Sequence, residues 1–97
     1  FAQIVIGDSA FGTGNFANIN LSTNAFATTS LSGGTPTTQV TDMGGGIWRY
    51  AIEMTATLTG TSNISFGHVP AGNSVRNLSW TGTGKTSAIS RFKWFSV

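Results

Sequence analysis

The chain has no cysteine, two prolines and very few charged side chains. Without cysteine, neither a disulfide framework nor a thiolate metal site can form. Charged residues make up 8% of the chain, against a usual value of about a quarter, so threonine, serine, asparagine and glycine must supply most of the solvated surface. The sequence contains no run of about 18 apolar residues, and we therefore expect no membrane insertion.

The few charges are dispersed along the sequence. Five cations and three acidic residues give a formal net charge of +2. A surface that binds nucleic acid needs a clustered basic patch, and the spacing of these cations does not provide one. The sequence therefore predicts no nucleic-acid partner.

The most regular pattern follows a glycine triplet at residues 44–46. From position 48 to 58 the even positions are Trp, Tyr, Ile, Met, Ala and Leu, whereas the odd positions are Arg, Ala, Glu, Thr and Thr. This alternation is typical of a strand with one buried face. It predicts a strand over residues 48–58, with Trp48 in the core and with Arg49 and Glu53 on the outer face.

Other short segments bounded by turn residues predict further strands. They lie at residues 1–6, 16–21, 25–31, 37–42, 64–69, 75–80 and 88–97. No window has helical periodicity. Seven or eight short strands at this spacing predict an all-β fold, an antiparallel two-sheet sandwich of jelly-roll or related type, with residues 1–97 forming a single module.

Three motifs follow one another in a familiar order. Residues 20–24 read Asn-Leu-Ser-Thr-Asn, residues 46–50 read Gly-Ile-Trp-Arg-Tyr, and residues 80–84 read Trp-Thr-Gly-Thr-Gly before an aromatic-rich end. Over most of its length the chain thereby resembles the small jelly-roll, carbohydrate-binding-like modules of bacteriophage tail spikes and tail fibres. It departs from their pattern where Asn24 replaces the usual glycine, where Ile47 precedes the tryptophan, and where Arg49 and Tyr50 invert the commoner order.

The resemblance implies a non-catalytic module that recognises host surface polysaccharide. It further implies a homotrimer in the phage tail, on the extracellular virion. Because the sequence starts with Phe1 already in a strand pattern, we expect the chain to be a fragment of a longer protein. The family usually has one more strand upstream, and this strand would lie in a removed segment or be supplied by a neighbouring subunit. The alternative is a structural domain that trimerises and caps the fibre without its own ligand, and outward apolar residues at Phe16, Phe95 and Val97 favour it.

Sugars present apolar C–H faces together with hydroxyl groups, so aromatic rings, amides and guanidinium groups suit them. On this basis the candidate ligand-binding residues are Trp80, Arg49, Glu53, Asn18, Asn20 and Arg76. The two asparagines are expected on the outer face of the strand at 16–21. Trp48 and Trp94 are interpreted as core residues, and Trp80 is equally compatible with the core and with a binding surface.

No set of residues suits catalysis or metal binding. Glycoside hydrolysis requires two carboxyls about 5–10 Å apart, whereas Asp8 and Asp42 lie in turns, where an aspartate usually bonds its own backbone. The single histidine, His68, lacks companions for a metal site. Residues 82–86 look like the end of a phosphate-binding loop, but the glycine needed upstream is Ser79 and no helix pattern follows. The sequence therefore predicts no enzyme activity and no cofactor.

Overall fold

The computed structural model describes residues 1–32, 34–89 and 91–93. These residues form six strands and one helical turn. The elements are β1 (Ala2–Ile6), α1 (Asp8–Phe11), β2 (Phe16–Asn20), β3 (Ala25–Ser30), β4 (Thr37–Gly44), β5 (Ile47–Glu53) and β6 (Ile64–His68). The predicted all-β class is therefore confirmed, and α1 is a single turn, too short to leave a periodic signal. Among these residues no helix is long and apolar enough to cross a bilayer.

The strands form two antiparallel sheets, as the sequence predicts for a sandwich. The larger sheet has the order β3-β2-β1-β6, and the smaller one is the hairpin β4-β5. The segment 7–15, which contains α1, joins β1 to β2, and the short turn at 21–24 joins β2 to β3. β6 returns to the free side of β1 after the hairpin. The jelly-roll connectivity stays a prediction.

The core follows the two central strands of the larger sheet. Its buried apolar residues are Val5, Ile6, Ala10, Ala17, Ile19 and Val69. Because directly paired residues share a face in an antiparallel sheet, Ile4 lies on one face with Ala17 and Phe66. Gln3 lies on the opposite face with Asn18 and Gly67. We call this second surface the amide face.

The two sheets meet where β3 approaches β5. The rings of Phe26 and Tyr50 pack edge to face, with their centroids 5.9 Å apart. The Tyr50 hydroxyl donates a hydrogen bond of 2.9 Å to Asn24 Oδ1. Asn24 adopts a φ of 53°, in the left-handed region where asparagine is the best-tolerated residue after glycine. Asparagine therefore serves the turn at the position where the resembling family has glycine.

The strand predicted at 48–58 is partly wrong. β5 ends at Glu53, and residues 54–57 are not in a strand. Trp48 is 37% exposed rather than in the core, and Leu58 is also exposed. The reason is that the aromatic contact between the sheets is made at Tyr50, and Trp48 lies two residues nearer to the hairpin turn.

The strand predicted at 75–80 is wrong. These residues form a coil that crosses the amide face, and Asn77 has a φ of 56°, which no strand permits. The described part of the segment predicted at 88–97 is also coil. The remainder, including Trp94, Phe95 and Val97, lies outside the described residues.

Candidate functional site

Asn18 is not on an outer face, as the sequence suggests, but is completely buried at 0% exposure. Its Oδ1 accepts a hydrogen bond of 2.8 Å from Gln3 Nε2. Its Nδ2 donates to the backbone oxygens of Gly72 and Ser74, at 3.0 and 2.7 Å. A primary amide has two donor hydrogens and one acceptor oxygen, and each is engaged. Asn18 is therefore a structural residue and is excluded from the ligand surface.

Gln3 completes this connection between the sheet and the coil. Its Nε2 also donates to the Val75 carbonyl at 3.0 Å, and its Oε1 accepts from the Asn77 amide at 2.9 Å. The coil at 71–78 is thus attached to the amide face through side-chain amides. In the described residues, no buried side-chain polar atom is left without a hydrogen bond.

Arg76 holds the same coil to the opposite end of β1. Its guanidinium donates to the carbonyls of Asn15 and Ile6, at 3.1 and 3.0 Å, and forms an ion pair with Asp8 at 3.1 Å. The carbonyl contacts use the forked geometry that distinguishes arginine from lysine. Because Arg76 Nε and Nη2 are engaged within the fold, a binding role would be secondary to this structural one.

Asn20 and Trp80 also have internal partners. Asn20 Oδ1 accepts from the amides of Ser22 and Thr23, so the side chain caps the turn after β2. The half-buried Trp80 donates its indole N–H to the His68 carbonyl at 2.8 Å. His68 lies at the end of β6, and its ring nitrogen Nε2 is hydrogen-bonded with Ser87 Oγ.

Arg49 and Glu53 remain exposed, on the outer face of the hairpin as expected. Arg49 pairs across the hairpin with Thr41, and Glu53 pairs with Thr37. Gln39 is exposed on this face between them, opposite Ala51. We call this surface the hairpin face. It does not include Asn18, Asn20, Arg76 or Trp80, so the six predicted residues do not form one site.

The three acidic residues do not form a catalytic pair. Asp8 is engaged by Arg76 and by the Gly14 amide, and Asp42 accepts from the Gly44 amide. Asp42 pairs with Trp48 of β5 and shares its face of the hairpin. Trp48 lies five positions from Glu53 along β5 and on the opposite face, and this spacing corresponds to a separation of roughly 17 Å along the strand. Both aspartates accept a hydrogen bond from a nearby backbone amide, as expected. Their predicted location in turns is wrong, because Asp8 begins α1 and Asp42 belongs to β4.

A shallow groove lies beside β6, where sequence reasoning placed no site. It has a volume of ≈ 440 Å³ and is lined by Ser62, Asn63, Ile64, Phe66 and Phe92. The two phenyl rings pack edge to face at 5.4 Å, and they are 43% and 54% exposed. We call this surface the aromatic groove. Exposed phenylalanines inside a strand and near the chain end were the available signal, but their meeting depends on the fold.

Backbone contacts fix the polar end of the aromatic groove. The Asn63 carbonyl accepts from the Gly7 amide at 2.7 Å, and Ser62 Oγ accepts from the Ala10 amide at 2.8 Å. The Asn63 side chain is exposed and has no hydrogen bond to the described residues. Its amide is therefore available to a ligand in the groove.

The described residues contain no group of three or more side chains suited to holding a metal ion. Comparison with protein-family models, with curated proteins and with solved structures found no match. The resemblance to phage tail-spike modules therefore stays a prediction.

Proposed function

We propose that this chain is a non-catalytic binding module that recognises host surface polysaccharide, as part of a homotrimeric bacteriophage tail spike or fibre. The observation that carries the proposal is the exposed hairpin face, where Arg49, Gln39 and Glu53 stand among threonines. Guanidinium, amide and carboxylate groups together offer donors and acceptors for neighbouring sugar hydroxyls. An exposed surface that runs along two paired strands suits an extended polymer.

The positions of the carboxyl groups support binding without hydrolysis. Asp8 and Asp42 are each engaged by backbone amides, and Glu53 lies on the opposite face of the hairpin from Asp42. A glycosidase of the usual kind needs two carboxyls about 5–10 Å apart on either side of the bond. The hairpin face carries one carboxylate and no partner for it.

A glycan array probed with the purified chain tests this proposal. We expect binding to at least one polysaccharide, and we expect the double variant Arg49→Ala and Gln39→Ala to weaken it about tenfold, the equivalent of roughly one good hydrogen bond to a charged group. Thr38→Ala, on the opposite face of the hairpin, is the matched control. Absence of binding to every glycan, by a chain that circular dichroism shows to be folded, would overturn the proposal.

The alternative function is a structural subunit that trimerises and caps a fibre. A specific observation favours it, in the hairpin that forms the smaller sheet. Large apolar residues are exposed at the hairpin tip, namely Met43, Ile47 and Trp48. Surfaces of this kind commonly become buried between subunits.

Light scattering of the isolated chain tests the structural alternative. A trimer that dissociates when Met43 and Ile47 are both replaced by serine is the expected result if the hairpin tip lies between subunits. A monodisperse monomer at high concentration would contradict it. The two functions are compatible, because repetition of a weak site around a trimer axis increases the total affinity.

A further inference from the structure

The aromatic groove has the composition of a sugar-binding site. The exposed rings of Phe66 and Phe92 offer apolar surface to the C–H side of a sugar, and Asn63 and Ser62 offer polar groups to its hydroxyls. Its volume of ≈ 440 Å³ falls within the roughly 300–1,000 Å³ of small-ligand sites. The groove is therefore large enough for a ring of a polymer together with its neighbouring bonds.

Charge indicates which class of sugar fits. Arg91 and Lys93 flank Phe92 in the sequence, and both side chains are exposed. Of these three residues, Phe92 lines the groove itself, so the two cations lie one residue away from a groove-lining ring. No carboxylate of the described residues lies within ion-pair distance of either cation. After Glu53 the sequence contains no acidic residue at all. The two cations next to Phe92 in the sequence are therefore not paired with a carboxylate in the described part of the chain, and they favour an anionic ligand.

We infer that the aromatic groove binds an acidic polysaccharide, one with a carboxylate on its sugar rings. A ring stacks on Phe92 and Phe66, Asn63 hydrogen-bonds its hydroxyls, and Arg91 or Lys93 pairs with the carboxylate. This inference rests on the proposed function and narrows its ligand class. Nucleic acid fits less well, because its phosphate backbone is normally followed by a longer basic stripe than two flanking cations provide.

The position of the groove makes it independent of the hairpin face. Phe66 belongs to β6, at the edge of the four-stranded sheet, whereas Arg49 and Glu53 belong to the separate β4-β5 sheet. Variants in one surface therefore leave the other intact. Both phenylalanines are substantially exposed, so replacing them removes little from the core and is compatible with folding.

The test is affinity electrophoresis of the full chain through gels that contain one polymer each. The acidic polymers are polygalacturonate, alginate and polysialic acid, and the neutral ones are dextran and mannan. A labelled oligodeoxythymidine, followed by fluorescence anisotropy, is the nucleic-acid probe. We expect retention by at least one acidic polymer, weaker retention by the neutral ones, and a decrease as sodium chloride screens the charges.

Variants assign the binding to the groove. Phe92→Ala is expected to weaken binding about tenfold, as loss of one stacked ring does at other aromatic sites. Arg91→Gln with Lys93→Gln is expected to weaken binding and to remove most of its salt dependence. The matched controls are Ile89→Ala and Lys85→Gln, exposed positions on the same coil that neither line the groove nor adjoin Phe92 in the sequence, and both should bind like the unmodified chain.

The possible results distinguish the assignment of the groove from the proposed binding function. Retention by acidic polymers that is unchanged in Phe92→Ala and in the double charge variant would overturn the groove assignment and leave the binding function standing. Retention by neutral polymers alone would overturn the acidic class. Equal affinity for oligodeoxythymidine, lost in the same variants, would overturn polysaccharide as the ligand. Binding to no polysaccharide here or on the glycan array would contradict the proposed function itself.

Discussion

Gln3 and Asn18 lie directly opposite each other on β1 and β2, and the amide of Gln3 donates a hydrogen bond of 2.8 Å to the amide oxygen of Asn18. Their remaining hydrogen-bonding groups bind the backbone of the coil at 71–78. The coil at 71–78 is therefore attached to the sheet by side-chain amides, in a position where apolar packing would be more usual. Each amide is buried, so each bond must be formed for the fold to be stable.

Replacing Asn18 by alanine is expected to destabilise the chain by about 3 kcal/mol, because three buried or half-buried partners would each lose one hydrogen bond. Urea unfolding followed by tryptophan fluorescence measures the change. Asn20→Ala is the control, since its amide caps an exposed turn and should cost about 1 kcal/mol or less. Equal losses in the two variants would show that the buried amides do not carry the attachment.

Arg76→Lys is expected to cost more stability than Asp8→Asn. The lysine variant loses the forked contacts to two backbone carbonyls, at about 1–2 kcal/mol. The asparagine variant loses one partly exposed ion pair, at less than about 1 kcal/mol. Thermal unfolding at low and high salt distinguishes them, because salt should reduce the effect of Asp8→Asn and leave that of Arg76→Lys largely unchanged.

Ionisation of Tyr50 is expected to destabilise the fold at alkaline pH. Burial raises the pKa of the Tyr50 phenol, so the folded state favours the neutral form. The corresponding stability is complete below the usual tyrosine pKa of about 10 and is lost as the pH rises through the higher pKa of the folded state. We expect unfolding free energy to fall above about pH 10, and Tyr50→Phe to reduce this fall.

The Tyr50→Phe variant differs from the unmodified chain at neutral pH as well as at alkaline pH. At neutral pH it loses the hydrogen bond to Asn24 and is expected to be about 1 kcal/mol less stable, so the pH dependence must be compared as a slope and not as an absolute value. The same alkaline slope in both proteins would assign the effect to other groups.

Alanine substitutions at Gly7 and Gly67, two glycines without a positive φ, are expected to have opposite effects on stability. A Cβ on Gly7 would lie 2.9 Å from the Asn63 backbone nitrogen, whereas a Cβ on Gly67 would meet nothing within 4 Å. Gly7→Ala should therefore destabilise the fold and displace Asn63 in the aromatic groove. Gly67→Ala should be neutral or stabilise by up to about 1 kcal/mol, through a less flexible unfolded chain. Chemical denaturation of the two variants gives the comparison.

Local patterns were sufficient to predict β1, β2, β3, β4 and β6, together with the first part of β5. In each case apolar residues and turn residues lie within one short segment, so the information is local. The outer position of Arg49 and Glu53 followed from the same alternation. The end of β5 was not predictable, because alternation continues to Leu58 after the partner strand has run out.

The burial of Asn18 was beyond any local pattern. Alternation along β2 correctly puts Asn18 on the face opposite Ala17, but whether that face is solvated depends on Ser74, which lies 56 residues further along the chain. The same reason hides the aromatic groove, whose rings come from β6 and from the coil after it. The coil at 71–78, which covers Asn18, and the coil that carries Phe92 are both outside the strands of the structure.

The amide attachment of the coil also shapes the thermodynamics of unfolding. Exposure of apolar surface raises the heat capacity, whereas exposure of polar surface lowers it. Because the coil at 71–78 is held through amides and backbone groups, releasing it contributes little to the heat-capacity change. We expect calorimetry to give a value below the usual 12–15 cal/mol/K per residue, and hence a shallow stability curve that changes little between cold and warm surroundings.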